Sequence, residues 1–159
     1  MRHIVGVADM KFSKNDADEI VTFALGSCIG LALYDPRSGV GGILHYMLPL
    51  AEADPVKAQK NPYMFGDTGI PAFFQELYNL GAVKDRMRVA LVGGAGTRQN
   101  SDLFQIGLRN IQIAYALFYK NKVDIHAEHV GGNIPRSLFL SMKSGQVWIE
   151  SQGQILELL

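Results

Sequence analysis

A single cysteine occurs among the 159 residues, and it stands directly behind a Gly-Ser step in the run Thr22-Phe23-Ala24-Leu25-Gly26-Ser27-Cys28. Seventeen residues further on comes His45, beyond Tyr34-Asp35-Pro36-Arg37-Ser38-Gly39 and Gly42-Ile43-Leu44. A thiol with an ordinary pKa is mostly protonated at neutral pH. An imidazole beside it can take the proton and leave a thiolate–imidazolium pair, the nucleophile of acyl-transfer chemistry. Gly26 and Ser27 let the backbone turn sharply, which would aim the Cys28 amide at a developing oxyanion. A third polar group would hold the imidazole and fix its tautomer. Thr22 is the candidate, yet six extended residues carry it about 20 Å from Cys28, so it serves only if the chain folds back near Ala24–Gly26.

The elements that must bring thiol and imidazole together are two strands, Cys28–Tyr34 and Val40–Leu48, joined by Asp35-Pro36-Arg37-Ser38-Gly39. Pro36 sits where a type I turn favours proline, with Gly39 close behind. A two-residue loop makes paired positions sum to 73, which sets Cys28 directly opposite His45. A four-residue loop makes them sum to 75, and His45 becomes the diagonal neighbour of Cys28 on the same face. Direct pairs have Cβ atoms about 4.5–5.5 Å apart and diagonal pairs about 7–8 Å. A three-residue loop puts the two on opposite faces. All three loops remain open at this level, as does the plainer reading of Cys28 as an inert core thiol.

The rest of the chain supplies the frame. Strands are expected at Ile4–Ala8, Glu19–Phe23 and Val89–Val92, and a hairpin over Ser137–Met142 and Val147–Glu150 about the Ser144-Gly145 turn. Ala51–Met64 carries Asp54-Pro55 and Asn61-Pro62 and reads as an exposed loop starting near His45. A helix starts near Asp67 or Thr68, with Pro71 in its first turn. It buries Ile70, Phe73, Phe74, Leu77 and Leu80, and Gly81 ends it. A second helix, capped by Asn100 or Ser101, runs to about Lys120. Its residues Phe104, Ile106, Leu108, Ile111, Ile113, Leu117 and Phe118 spread over most of its circumference, which predicts deep burial. Hairpins grouped about two helices define α+β: a single domain over residues 1–159, with a layered β core of mixed and antiparallel strands and the two helices packed on it.

Composition narrows the class of function. Fifteen Lys and Arg balance fifteen Asp and Glu, so the basic excess of a nucleic-acid binder is missing. One cysteine precludes an internal disulfide framework and fits a reducing cytoplasm. No apolar run approaches a membrane span, and Met1-Arg2-His3-Ile4-Val5-Gly6 does not read as a secretory signal. The run Gly93-Gly94-Ala95-Gly96 lies between a strand and a helix. Gln99 stands where a dinucleotide fingerprint needs glycine, and Gln99-Asn100 where Walker A needs Gly-Lys, so it reads as a tight strand-to-helix turn. His126 and His129 are three apart on an expected strand and face opposite sides, so no metal site is expected from them with His3 and His45.

Thr22-x-x-Leu25-Gly26-Ser27-Cys28, the step to His45 and Met47-Leu48-Pro49 beyond it resemble the chemoreceptor glutamine deamidase family, CheD. The resemblance continues through Gly93-Gly94-Ala95, Ile106-Gly107-x-Arg109-Asn110, Gly131-Gly132-Asn133 with Arg136, and Ser144-Gly145. It implies hydrolysis of glutamine side-chain amides of chemotaxis receptors to glutamate, and of methylglutamyl esters as well. It assigns Cys28 as nucleophile, His45 as general base and Thr22 as the residue orienting the imidazole, with no cofactor and no metal. It also implies a regulator, the chemotaxis phosphatase CheC. The rival reading is a catalytically silent adaptor for that phosphatase. Two residues depart from the family pattern. Ala24 replaces a more usual glycine, and its methyl is tolerable if φ is negative, so the local turn depends on that angle. His129 stands where an aspartate is usual, so no role that needs a carboxylate there carries over.

Overall fold

The computed structural model describes residues 1–96 and 105–159. Among them the strands are β1 (Arg2–Ile4), β2 (Asp9–Ser13), β3 (Glu19–Leu25), β4 (Ile29–Asp35), β5 (Val40–Tyr46), β6 (Arg88–Gly93), β7 (Ala127–Val130), β8 (Arg136–Ser141), β9 (Val147–Ser151) and β10 (Gln154–Glu157). The α-helices are α1 (Pro55–Lys60), α2 (Gly66–Asn79) and α3 (Ile106–Lys120). The strands form two sheets, ordered β1-β3-β8-β9-β10 and β2-β5-β4-β6-β7.

Period-two alternation sorts the side chains into two cores. Ile20, Leu25, Leu138 and Leu140 of the first sheet meet Ala32, Ile43, Ala90 and Val92 of the second. Ile29, Leu31, Leu33, Leu44 and Tyr46 point the other way, onto Ile70, Phe73, Phe74 and Leu77 of α2 and Ile111, Ala114 and Phe118 of α3. The order of layers is therefore sheet, sheet, helices. Every residue of β4 and β5 is buried, as in strands covered on both faces. The α+β class expected from the sequence holds. No helix among the described residues is long and apolar enough to cross a membrane.

Several boundaries differ from expectation, each for a physical reason. The expected strand Ile4–Ala8 is shorter and earlier. Ala8 takes a left-handed φ of 58°, and the chain leaves the first sheet there to enter β2 in the second. Ala51–Met64 is not an open loop. The Asp54 carboxylate accepts from the Lys57 amide at 3.1 Å and Pro55 fills the first helical position, so the Asp-Pro pair starts α1 instead of breaking structure. α2 begins at Gly66, which moves Pro71 into its second turn. Gly81 ends it as expected, with φ 106° and its amide on the Tyr78 carbonyl. α3 starts at Ile106 behind a left-handed Gln105; the expected caps Asn100 and Ser101, and Phe104, lie outside the described residues. α3 is buried along one stripe only, with Leu108 and Tyr119 exposed.

Candidate active site

The turn between β4 and β5 decides where Cys28 and His45 meet. The Asp35 carboxylate accepts from the Arg37 amide at 2.9 Å and the Val83 amide at 3.0 Å, and from the Arg86 guanidinium at 2.8 Å. Burial alone would raise its pKa, but the Arg86 guanidinium and these amides outweigh it and hold the carboxyl below the usual range. Gly39 closes the turn with φ 72°, its amide on the Asp35 carbonyl. The loop is thus four residues, and the ladder pairs Ile29 with Tyr46 and Gly30 with His45. Of the three registers left open by the sequence, this is the one summing to 75. Cys28 stands one residue before the first paired residue; continuing this register makes it the diagonal neighbour of His45, and it packs against the core between the sheets, the side His45 faces.

That face looks across at the first sheet, and there Thr22 waits. Its hydroxyl lies 2.7 Å from His45 Nδ1 and donates its own proton to the Val5 carbonyl at 2.8 Å. With that proton committed, Nδ1 must carry the imidazole hydrogen and donate it to Thr22. Nε2 is left with a bare lone pair. It is buried, and it has no hydrogen-bond partner among the described residues.

The chain does fold back between Thr22 and Cys28, as it must. The β3–β8 pairing slips between Thr22 and Leu25, Ala24 adopts φ 56°, and Gly26–Cys28 carries the backbone from the first sheet to the second. A methyl at this position is tolerable where φ is negative. It sits instead in the left-handed region, which costs an L-residue about 1–2 kcal/mol.

Burial acts on both groups in the same sense. Burial pushes the Cys28 thiol up, against a smaller pull from its own backbone amide. Burial also holds His45 down at about 4. Both shifts run toward the neutral forms, thiol and imidazole.

The turn that carries Cys28 is anchored through three consecutive carbonyls. Gly26 accepts from the Ala95 amide at 2.9 Å and Cys28 from the Gly94 amide at 2.9 Å. Ser27 accepts from Asn110 Nδ2 at 2.9 Å, and the same nitrogen donates to the Met47 carbonyl at 2.9 Å. A side chain on Gly93 would collide with the Cys28 carbonyl, and its φ of 110° is open only to glycine. The glycine run read as a tight turn is thus also the strap that holds the thiol. Arg136, buried, adds a clamp beneath it, donating to Gly131 O at 2.7 Å, His129 Nδ1 at 2.8 Å and Gly93 O at 3.4 Å.

The residues that sequence reasoning gave no chemical part are Val5, Gly94, Ala95 and Asn110. Asn110 had a readable signal. It lies in the buried stripe Gly107, Asn110, Ile111, Ala114 and Phe118 of α3, an amide among apolar positions. Among the described residues no three His, Cys, Asp or Glu side chains gather as metal ligands. His129 is bound to Arg136, and His126 accepts from the Val89 amide at 3.1 Å, which gives each a structural partner.

A two-sheet α+β domain that sets a thiol and a tautomer-locked imidazole on one inner face has clear relatives. Residues 47–151 match the family described as CheD chemotactic sensory transduction. The probable chemoreceptor glutamine deamidase CheD 1 of Syntrophus aciditrophicus is 47% identical over 150 residues, which cover 94% of this chain and 94% of that one. The probable chemoreceptor glutamine deamidase CheD of Solibacter usitatus is 40% identical over 156 residues, 98% of this chain and 92% of its own. That of Pyrococcus abyssi is 38% identical over 157 residues, with 96% and 94% covered. The chain belongs to the CheD family.

Proposed function

We propose that this protein hydrolyses glutamine side-chain amides of chemotaxis receptors to glutamate and ammonia, with Cys28 as nucleophile, His45 as general base and Thr22 as the residue that orients the imidazole. The observation that carries the reading is the buried, unpartnered Nε2 of His45, held by its Thr22 contact on the face that Cys28 shares. An adaptor has no use for such an atom, whose isolation costs about 1–3 kcal/mol. The names of the relatives above supply the substrate class.

The steps follow from the atoms present. As Sγ approaches the glutamine carbonyl carbon, Nε2 takes the thiol proton and the S–C bond forms. The Cys28 amide, near enough to Sγ to influence its pKa, stabilises the oxyanion. The adduct collapses by breaking the C–N bond, and the imidazolium returns its proton to the departing nitrogen, which leaves as ammonia. His45 then deprotonates water, whose oxygen attacks the thioester. Glutamate departs and the thiol is restored. Methylglutamyl esters take the same path with methanol as leaving group. The family resemblance adds the phosphatase CheC as regulator.

Incubating a receptor cytoplasmic fragment with the protein should raise glutamine-bearing peptides by one mass unit and release ammonia. Cys28→Ala and His45→Ala should abolish both while the fold persists. Wild-type turnover in folded Cys28→Ala would overturn the assignment.

A further inference from the structure

We infer that Asn110 is a positioning residue: it fixes the peptide plane that presents the Cys28 N–H to the oxyanion. The inference rests on the cysteine mechanism proposed above and adds a residue to it. In a trans peptide the carbonyl and the following N–H lie in one plane and point in opposite directions. Orienting the Ser27 carbonyl therefore orients the Cys28 amide. Three carbonyls anchor the turn, and two of them, Gly26 and Cys28, are held by backbone amides of Ala95 and Gly94. The third, Ser27, belongs to the plane that contains the Cys28 N–H, and it is held by a side chain, Asn110 Nδ2.

The arrangement is built for this contact. Both acceptors of Asn110 Nδ2 are carbonyl oxygens, so the nitrogen must face them and the amide cannot be flipped. The side chain is fully buried. Gly107, one turn earlier, lies so close to the Gly94 and Ala95 carbonyls that a Cβ would not fit, which lays α3 directly on the strap. The Tyr46 hydroxyl donates to the Asn110 carbonyl at 2.6 Å and ties the helix to β5. Because Nδ2 also holds Met47 O, one amide group links the turn of the nucleophile to the end of the base's strand. Among the described residues no backbone carbonyl accepts from the Cys28 N–H, which leaves it available to a ligand oxygen.

The test separates attack on a carbonyl, which needs the oxyanion donor, from alkylation by iodoacetamide, which does not. Asn110→Leu keeps the volume and removes the donor. It should lower kcat for ammonia release from the receptor fragment by about 10²-fold, with KM and the alkylation rate of Cys28 within about twofold of the parent. Asn110→Asp is the conservative variant. Its buried carboxyl, facing two carbonyl oxygens, donates only when protonated, so its kcat should recover as pH falls from about 8 to 6, whereas Asn110→Leu should show no recovery. In the unsubstituted protein both Nδ2 protons should exchange slowly with solvent, a measurement independent of whether the variants fold. Wild-type kcat in folded Asn110→Leu, alkylation falling in step with hydrolysis, or rapid Nδ2 exchange would each overturn the assignment. Absence of ammonia release from the parent protein would instead overturn the proposed activity.

Discussion

His45 Nδ1 and Thr22 Oγ1 lie 2.7 Å apart although the two residues belong to different sheets. The contact fixes the tautomer that leaves a bare lone pair on Nε2, as the proposed base requires. Thr22→Val preserves shape and removes the acceptor, leaving a buried N–H unpaired at a cost of about 1–3 kcal/mol. Turnover of the receptor fragment should fall by about 10²-fold, and Thr22→Ser should restore most of it. A folded Thr22→Val protein with parental kcat would show that the imidazole needs no such partner.

Stability should decline with acid between about pH 6.5 and pH 4. Burial holds His45 at about 4 in the folded chain, whereas an unfolded histidine titrates near 6.5. In this window the unfolded state binds the proton and the folded state does not. The stabilisation is therefore complete above about 6.5 and is lost as pH falls toward the folded value, by about 3 kcal/mol from His45. His129, held down by burial and by Arg136, acts in the same direction. Asp18 and Asp35, whose carboxyls are held low, add their loss only below the ordinary carboxylate range. Urea midpoints measured across the window check the slope, and His45→Gln should make it shallower. An unchanged slope in that variant would place the titration elsewhere.

Ala24→Gly should stabilise the protein. The left-handed φ of 56° strains the alanine, and glycine relieves it at a smaller entropic cost in the unfolded chain, for a net gain of about 1 kcal/mol. In a chain of this size that is a rise in Tm of about 3 °C. A lower Tm would mean that the methyl has a packing role outweighing its strain.

His129→Asp should also stabilise. Arg136 Nε donates to His129 Nδ1, so the imidazole there is neutral and offers one lone pair to a buried cation. Burial lowers the Arg136 pKa. A carboxylate at 129 would give the guanidinium a counter-charge, and the charge-assisted bond is worth about 1–2 kcal/mol more than the present one. Thermal denaturation at neutral pH checks this, and an unchanged Tm would mean that the carbonyls of Gly131 and Gly93 already satisfy the cation.

Much of the frame was legible because it rests on local rules. Ile70, Phe73, Phe74 and Leu77 declare the buried stripe of α2, and Asp35 through Gly39 declare a turn between two apolar strands. The placement of Cys28 and His45 on one face was legible only as a set of registers. The choice among them is made by the Asp35 carboxylate, whose partners include Val83 and Arg86, far along the chain. Thr22 was the hardest to place. Distance along an extended strand argued against it, and only the crossing from one sheet to the other, with its left-handed Ala24, brings it to the imidazole. Strands β2 and β10 have no buried apolar face to declare them, since Asp9–Ser13 and Gln154–Glu157 are short, largely exposed and set at sheet edges.

The division of Thr22 and His45 between two sheets also bears on when the protein can act. The hairpin of β4 and β5 by itself holds the imidazole and adjoins the thiol, but it lacks the hydroxyl that selects the tautomer. That hydroxyl arrives only when the two sheets close on each other. Any change that parts the two sheets would take from the imidazole the contact that fixes its tautomer. The tautomer of the proposed base is therefore a property of the packing between the sheets and not of the hairpin that carries the imidazole.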